Sequence, residues 1–376
     1  MKHNLIVHCL LVVFFLTLST AVASETVEPV GNITSMKGRL QVKKKDGRVW
    51  LDAEPDQGVF YGDAIRTGDE SEGIVTLVDE SVIRVHANSQ IIVNTIISPL
   101  EKKNSILLFF GRVWNKISKK ALRRKLFEVQ TPTAVCGVRG TDFETGAYED
   151  GTTLVRVNSG EVSVGNEAHR TMVGANQGTR LSYEDREIRI ETGFQPDWEA
   201  SSAAGRKNLF ADGEKYGTYV NSEIYRQRDY LKSLVARVAD LSEEKKRVKT
   251  AAETARRKGD DAAYTARERE LEQINRELGD LNKKIAYTGG RLECQFGLFS
   301  HYGYLAKDPE LSRYFNGKEF ILKQLDNIEM IQAEFDAMIE EGMKMSMEDM
   351  EDLMDEMRQK VRDHKTSKKD DLFNQL

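Results

Sequence analysis

The feature that most constrains this chain is a change of hydrophobic period partway along it. From Gly31 to about Tyr183, short runs rich in Val, Ile, Thr and Leu are cut by turn residues every ten to twelve positions. Asp46-Gly47 separates Leu40-Gln-Val42 from Val49-Trp-Leu51, a hairpin signal. Gly73-Ile-Val-Thr-Leu-Val78 and Val82-Ile-Arg-Val85 flank Asp79-Glu-Ser81 in the same way. This spacing favours a sandwich, jelly roll or β-helix over an α/β fold. From about Ser222 the apolar residues recur at three, four or seven: Ile224, Leu231, Leu234, Val238, Leu241 and Val248. Leu271, Ile274, Leu278, Leu281 and Ile285 then keep a 3-4-3-4 rhythm. Side chains alternate across a strand but recur every 3.6 residues on a helix, so the two stretches demand different structure.

The expected organisation is therefore multidomain, β followed by α. Residues 1–23 read as a signal peptide. Lys2 precedes the apolar run Leu5–Leu18, and Ala21 and Ala23 stand at the small-residue positions of a cleavage site, so cleavage is expected after Ala23. Residues 31–190 form the all-β domain, with the apolar run Ile106–Trp114 as its central strand. Residues 191–221 read as a linker with short helical pieces. Residues 222–287 form either an antiparallel αα-hairpin turning at Lys258-Gly-Asp-Asp261 or one coiled-coil rod. Thr288-Gly289-Gly290 is expected to end that unit, and residues 291–366 form a C-terminal helical region. The expected location is periplasmic or otherwise exported.

Composition excludes several functions. A net charge of -5 over 376 residues argues against nucleic-acid binding. Beyond the leader, no run approaches the ~18 apolar residues of a membrane span. Cys136 and Cys294 are too few for a disulfide scaffold, and their pairing is left open. His86, His169, His301 and His364 have no partner at zinc-site spacing. Met343, Met347, Met350, Met354 and Met357 step as a helix face, so copper ligation is not expected. No serine elbow or Cys-His pair stands out, so neither a catalytic residue nor a cofactor or metal is expected.

Two constellations remain as candidates. Arg66, Gly68 and Asp69, and later Arg139, Gly140 and Thr141, each put an arginine and a glycine at the end of an apolar strand. Such residues either lock turns and register or form a recognition edge. Lys116, Lys119, Lys120, Arg123, Arg124 and Lys125 make a basic surface between two strands, fit for an anionic headgroup, a glycan phosphate or an acidic protein.

Residues from about Gly31 to Gly178 resemble the FecR domain family. The matching pieces are Gly38-Arg-Leu-Gln-Val42, Val59-Phe-Tyr-Gly-Asp-Ala-Ile-Arg-Thr-Gly68 and Gly73-Ile-Val-Thr-Leu-Val-Asp-Glu-Ser-Val-Ile83. Phe110-Gly-Arg-Val-Trp114, Phe127-Glu-Val-Gln-Thr-Pro132 and Val138-Arg-Gly-Thr-Asp-Phe143 follow in family order. The resemblance implies an exported β domain of jelly-roll or β-helical character and no catalysis. It covers under half the chain, and the helical half has no counterpart in it. Only Met1 to Asn4 precede the apolar core of the leader, so the family's iron-dependent anti-sigma role does not transfer. The expected function is a non-enzymatic envelope sensor or protein-interaction scaffold, with a glycan-binding or glycan-processing accessory protein as the alternative. Expected partners are a protein or an envelope glycan, with self-association through the helical region.

Overall fold

The computed structural model describes residues 28–45, 47–98, 101–118, 127–165 and 169–340. The stretch read as a signal peptide, five of the six basic-surface residues and the methionine series lie outside them. Seventeen strands come first among the described residues. They are β1 (Gly31–Lys37), β2 (Leu40–Lys43), β3 (Leu51–Asp52), β4 (Gly58–Val59), β5 (Ala64–Thr67), β6 (Glu72–Leu77), β7 (Val82–Val85) and β8 (Gln90–Ser98). There follow β9 (Glu101–Lys116), β10 (Phe127–Gln130), β11 (Val135–Val138), β12 (Asp142–Ala147), β13 (Thr153–Ser159), β14 (Glu161–Gly165), β15 (Arg170–Gly174), β16 (Gln177–Leu181) and β17 (Arg189–Thr192).

Their pairing makes two layers. One runs β4-β1-β6-β7-β9-β12-β13-β16-β17. The other runs β3-β2-β5-β8-β9-β10-β11-β14-β15, antiparallel except for β9 with β10. Strand β9 belongs to both. Its first part pairs β8 in the second layer, and from Gly111 it pairs β12 in the first. Gly111 makes the switch with φ +100, where a Cβ would collide with Ser89. Among the described residues the sheet does not close, so neither a jelly roll nor a barrel is established.

Alternation decides what fills the space between the layers. In β6 the even steps Gly73, Val75 and Leu77 are buried while Glu72, Ile74 and Thr76 are half-buried. Val75, Ile83, Val113, Phe143 and Val155 from the first layer meet Ile65, Ile91, Ile106, Leu108, Val129 and Val162 from the second in one apolar core. Strand β9 reads as continuously apolar because both its faces are covered. Ile106 and Leu108 enter the sandwich core, while Leu107 and Phe109 face outward onto a helix through Cys294.

The helices begin at α1 (Trp198–Ala211), within the stretch read as linker. Asp197 caps it by accepting from the Ala200 amide. Helix α2 (Gly213–Lys258) ends at Gly259, which takes the left-handed conformation, and Asp260 caps α3 (Asp261–Lys307). Residues 318–340 form α4. Helices α2 and α3 fold back on each other as an antiparallel hairpin. Leu234, Val238, Leu241 and Val248 pack on Ile274, Leu278 and Leu281. At the base, Ile224, Leu231, Phe296, Phe299 and Tyr302 pack with Ile321, Leu325 and Phe335.

Thr288-Gly289-Gly290 does not end a unit: α3 passes straight through it. Interior glycine costs a helix about 1 kcal/mol relative to alanine. Here it permits approach. A Cβ at Gly290 would meet the Gln130 side chain, and one at Gly297 would meet the Phe109 ring. Cys136 lies in the sandwich core and Cys294 on α3 outside β9, and both are free thiols.

Candidate functional site

The arginine–glycine turns carry the chain from one layer to the other. At the first, the Thr67 hydroxyl donates to the His86 carbonyl (2.6 Å) and accepts from the Ser89 amide (3.0 Å). Asn88 donates to Asp69 at 2.9 Å. Arg66 donates to Gln41 at 2.8 Å and lies 4.4 Å from the centre of the Trp50 ring. Gly68 needs neither positive φ nor close approach, since its nearest neighbour atom would lie 3.6 Å from a Cβ. The second turn repeats the plan. Thr141 donates to the Glu161 carbonyl at 3.0 Å, and Asp142 accepts from Trp114 (2.8 Å) and Asn158 (2.9 Å). Here Gly140 does sit at φ +63. At both turns these hydrogen bonds hold the chain where it crosses between the layers. Gly140→Val is expected to cost about 1–3 kcal/mol, because a β-branched residue is forced into the left-handed region. Lys116→Ala, at an exposed site, should stay within about 0.5 kcal/mol, and urea titration compares the two.

The loop after β10 is built differently. Thr131, Thr133 and Thr153 hydroxyls form a buried chain with two 2.7 Å links, and Thr133 donates to the Gly151 carbonyl at 2.7 Å. This holds the Gln130–Ala134 turn against the β12–β13 loop. Helix α3 then lies over it. Gln295 and Arg291 donate to the Pro132 carbonyl, at 2.6 and 3.3 Å. Tyr183 donates to Gln295 at 2.6 Å, tying the strand region after β16 into the same contact.

The β12–β13 loop supplies the other half. Glu149 accepts two bonds from Arg206 of α1, both 2.9 Å, and pairs with His301 of α3 at 2.7 Å. Tyr302 donates to the Glu149 carbonyl, and Asn208 donates to Asp150 at 2.8 Å. Burial alone would raise the Glu149 pKa, but the bonds from His301 and Arg206 outweigh it and carry the carboxyl down to about 2. It is a fixed anion joining the β layers to two helices.

Other titratable groups are also held away from their usual range. Burial, then Arg112 and Arg84, pushes His86 down to about 4. Burial, then Asp336, pushes Glu293 up to about 7, against the opposing pull of Lys43 and Lys45. Burial pushes the Cys136 thiol up to about 12 and raises Cys294 well above its usual value, so neither supplies a thiolate at neutral pH.

Of the residues singled out from the sequence, Arg66, Gly68 and Asp69 stand at one layer crossing and Arg139, Gly140 and Thr141 at the other. The two groups are not brought together. Lys116 is exposed at the end of β9. Lys119, Lys120, Arg123, Arg124 and Lys125 lie outside the described residues. Sequence reasoning missed Glu149, Arg206 and His301, which lie 57 and 152 positions apart. Their only signal was indirect: glycines spaced along α3 mark a helix that approaches something closely.

Residues 63–163 match the family model described as FecR protein. The N-terminal β-rich region thus matches the FecR family, and the helices lie outside the match. A crystal structure of a candidate anti-sigma factor from Parabacteroides distasonis ATCC 8503 is 22% identical over 34% of this chain and 59% of that one, with a TM-score of 0.31. A second structure so described has the same identity and coverage and a TM-score of 0.29. A cell surface anchoring domain is 21% identical over 17% of this chain and 82% of that one, with a TM-score of 0.16. The chain therefore spans under two thirds of the length of the anti-sigma relative. No curated protein matches it. Among the described residues no group of three or more His, Cys, Asp or Glu is placed to hold a metal. No helix among the described residues is long and apolar enough to cross a membrane.

Proposed function

We propose that this protein is an extracytoplasmic sensor or scaffold that works through protein contacts, with the β layers as the base and the α2–α3 hairpin as the presenting arm. The observation that carries this reading is the seating of α3. One helix grips the Gln130–Ala134 turn at one end and forms half of the arm at the other. Any change at the turn is passed to the arm as a rigid-body motion, because a packed helix moves as a unit. Among the described residues the arm's distal half packs on itself, and its end carries exposed Arg257. Export is supported by the leader-like N terminus, and the FecR match supports a role in the cell envelope.

Photo-crosslinking in intact cells tests it, with a reactive residue at Arg257 in the full chain. A discrete protein adduct, lost when Glu149→Ala loosens the base while the arm remains folded, supports the reading. No adduct, or turnover of envelope glycan by the purified protein, overturns it.

A further inference from the structure

Strand β17 is the outer edge of the first layer. Among the described residues it pairs only with β16, and all four of its residues are exposed. Its far side therefore offers unpaired backbone groups, a template for another strand. Its own pairing with β16 is electrostatically poor. Arg189 lies directly opposite Arg180, both exposed, and neither has an ion-pair partner among the described residues. Like charges directly opposite across a ladder are destabilising. On the other face, Ile190 is 41% exposed, an apolar residue at an open edge.

We propose that β17 pairs antiparallel with β17 of a second copy, placing Ile190 against Ile190 of the partner copy about a two-fold axis. The sequence Arg189-Ile-Glu-Thr192 is self-complementary in that register. Arg189 of each copy falls opposite Glu191 of the other. Side chains directly opposite share a face, so each Glu191 comes beside the Arg180–Arg189 pair of the other copy and relieves its repulsion. Other registers fail. Shifting by two residues puts arginine on arginine or glutamate on glutamate at the axis. Shifting by one puts Ile190 opposite a charge and reverses the faces. A two-fold contact of this kind closes on itself and does not grow into a fibre. Four residues bury less than the roughly 1,000 Å² of a stable interface, so the dimer is weak and concentration-dependent. This association is distinct from one through the helical seams.

Sedimentation of the full chain across the micromolar range tests it. The wild type is expected to shift from monomer to dimer. Glu191→Arg and Arg189→Glu are each expected to weaken the dimer roughly tenfold or more, since two like-charge pairs replace two ion pairs. Mixing the two variants restores it, because one copy then carries two glutamates and the other two arginines. As a second readout, Ile190→Cys is expected to form an intermolecular disulfide on mild oxidation, the opposed Cα atoms falling within bonding range. Leu51→Cys, on the exposed β3, is expected not to. A strict monomer at high micromolar concentration overturns the proposal. So does a dimer indifferent to both charge reversals, a mixture that stays monomeric, or equal crosslinking at Leu51→Cys and Ile190→Cys.

Discussion

Gly297→Leu in the full chain is expected to lower stability by about 3 kcal/mol, at the upper end of overpacking costs. The position has no room. A Cβ there would already strike three atoms of the Phe109 ring, and the ring is 4% exposed and cannot retreat. Relief requires α3 to lift from β9, which uncovers Leu107, Phe109 and Cys294 together. The variant therefore has a second signature: the Cys294 thiol, shielded in the wild type, becomes reactive toward a thiol reagent. Denaturant titration gives the stability and thiol labelling gives the exposure. Unchanged stability with an unreactive Cys294 contradicts the seating of α3.

Glu149→Ala is expected to cost about 2–3 kcal/mol at neutral pH, because it strips His301 and Arg206 of their shared anion. The value sits below that for a fully buried triad because the Arg206 side chain is 52% exposed. The acid dependence follows from the carboxyl's position at about 2, below its ordinary 4.5. A carboxylate with a lowered folded pKa stabilises fully above 4.5. That contribution is lost as the pH falls from 4.5 toward 2. The stability difference between wild type and Glu149→Ala should therefore be largest near pH 7 and shrink toward pH 2. A difference constant across that range contradicts the assignment.

The β half was legible because its signals are local. Asp79-Glu-Ser81 between two alternating runs is enough to place β6 and β7 as a hairpin, and register follows from the inward set Val75, Leu77, Ile83 and Val85. The apolar run Ile106–Trp114 was legible as central, but not as shared between layers. That depends on Gly111, whose positive φ nothing in the surrounding residues announces. The heptad-like seams were legible as helices, whereas hairpin and rod bury the same leucines, so the choice needed the Gly259 turn in three dimensions. Gly289-Gly290 was misread because glycine ends a helix and also admits a close neighbour. The neighbour, Gln130, lies 160 residues away in sequence. The Glu149 cluster was invisible for the same reason. Its members come from a hairpin loop, α1 and α3, and no spacing rule links them.

Hydrogen exchange on the wild-type chain tests most directly whether the helices and β layers form one coupled body. The amides of Phe127–Val138 and of the α3 segment around Gly290–Tyr302 are expected to share one slow rate, close to that of the sandwich core, while the hairpin end around Gly259 exchanges faster. Fast exchange across Gly290–Tyr302, with the sandwich core still protected, would contradict the coupling.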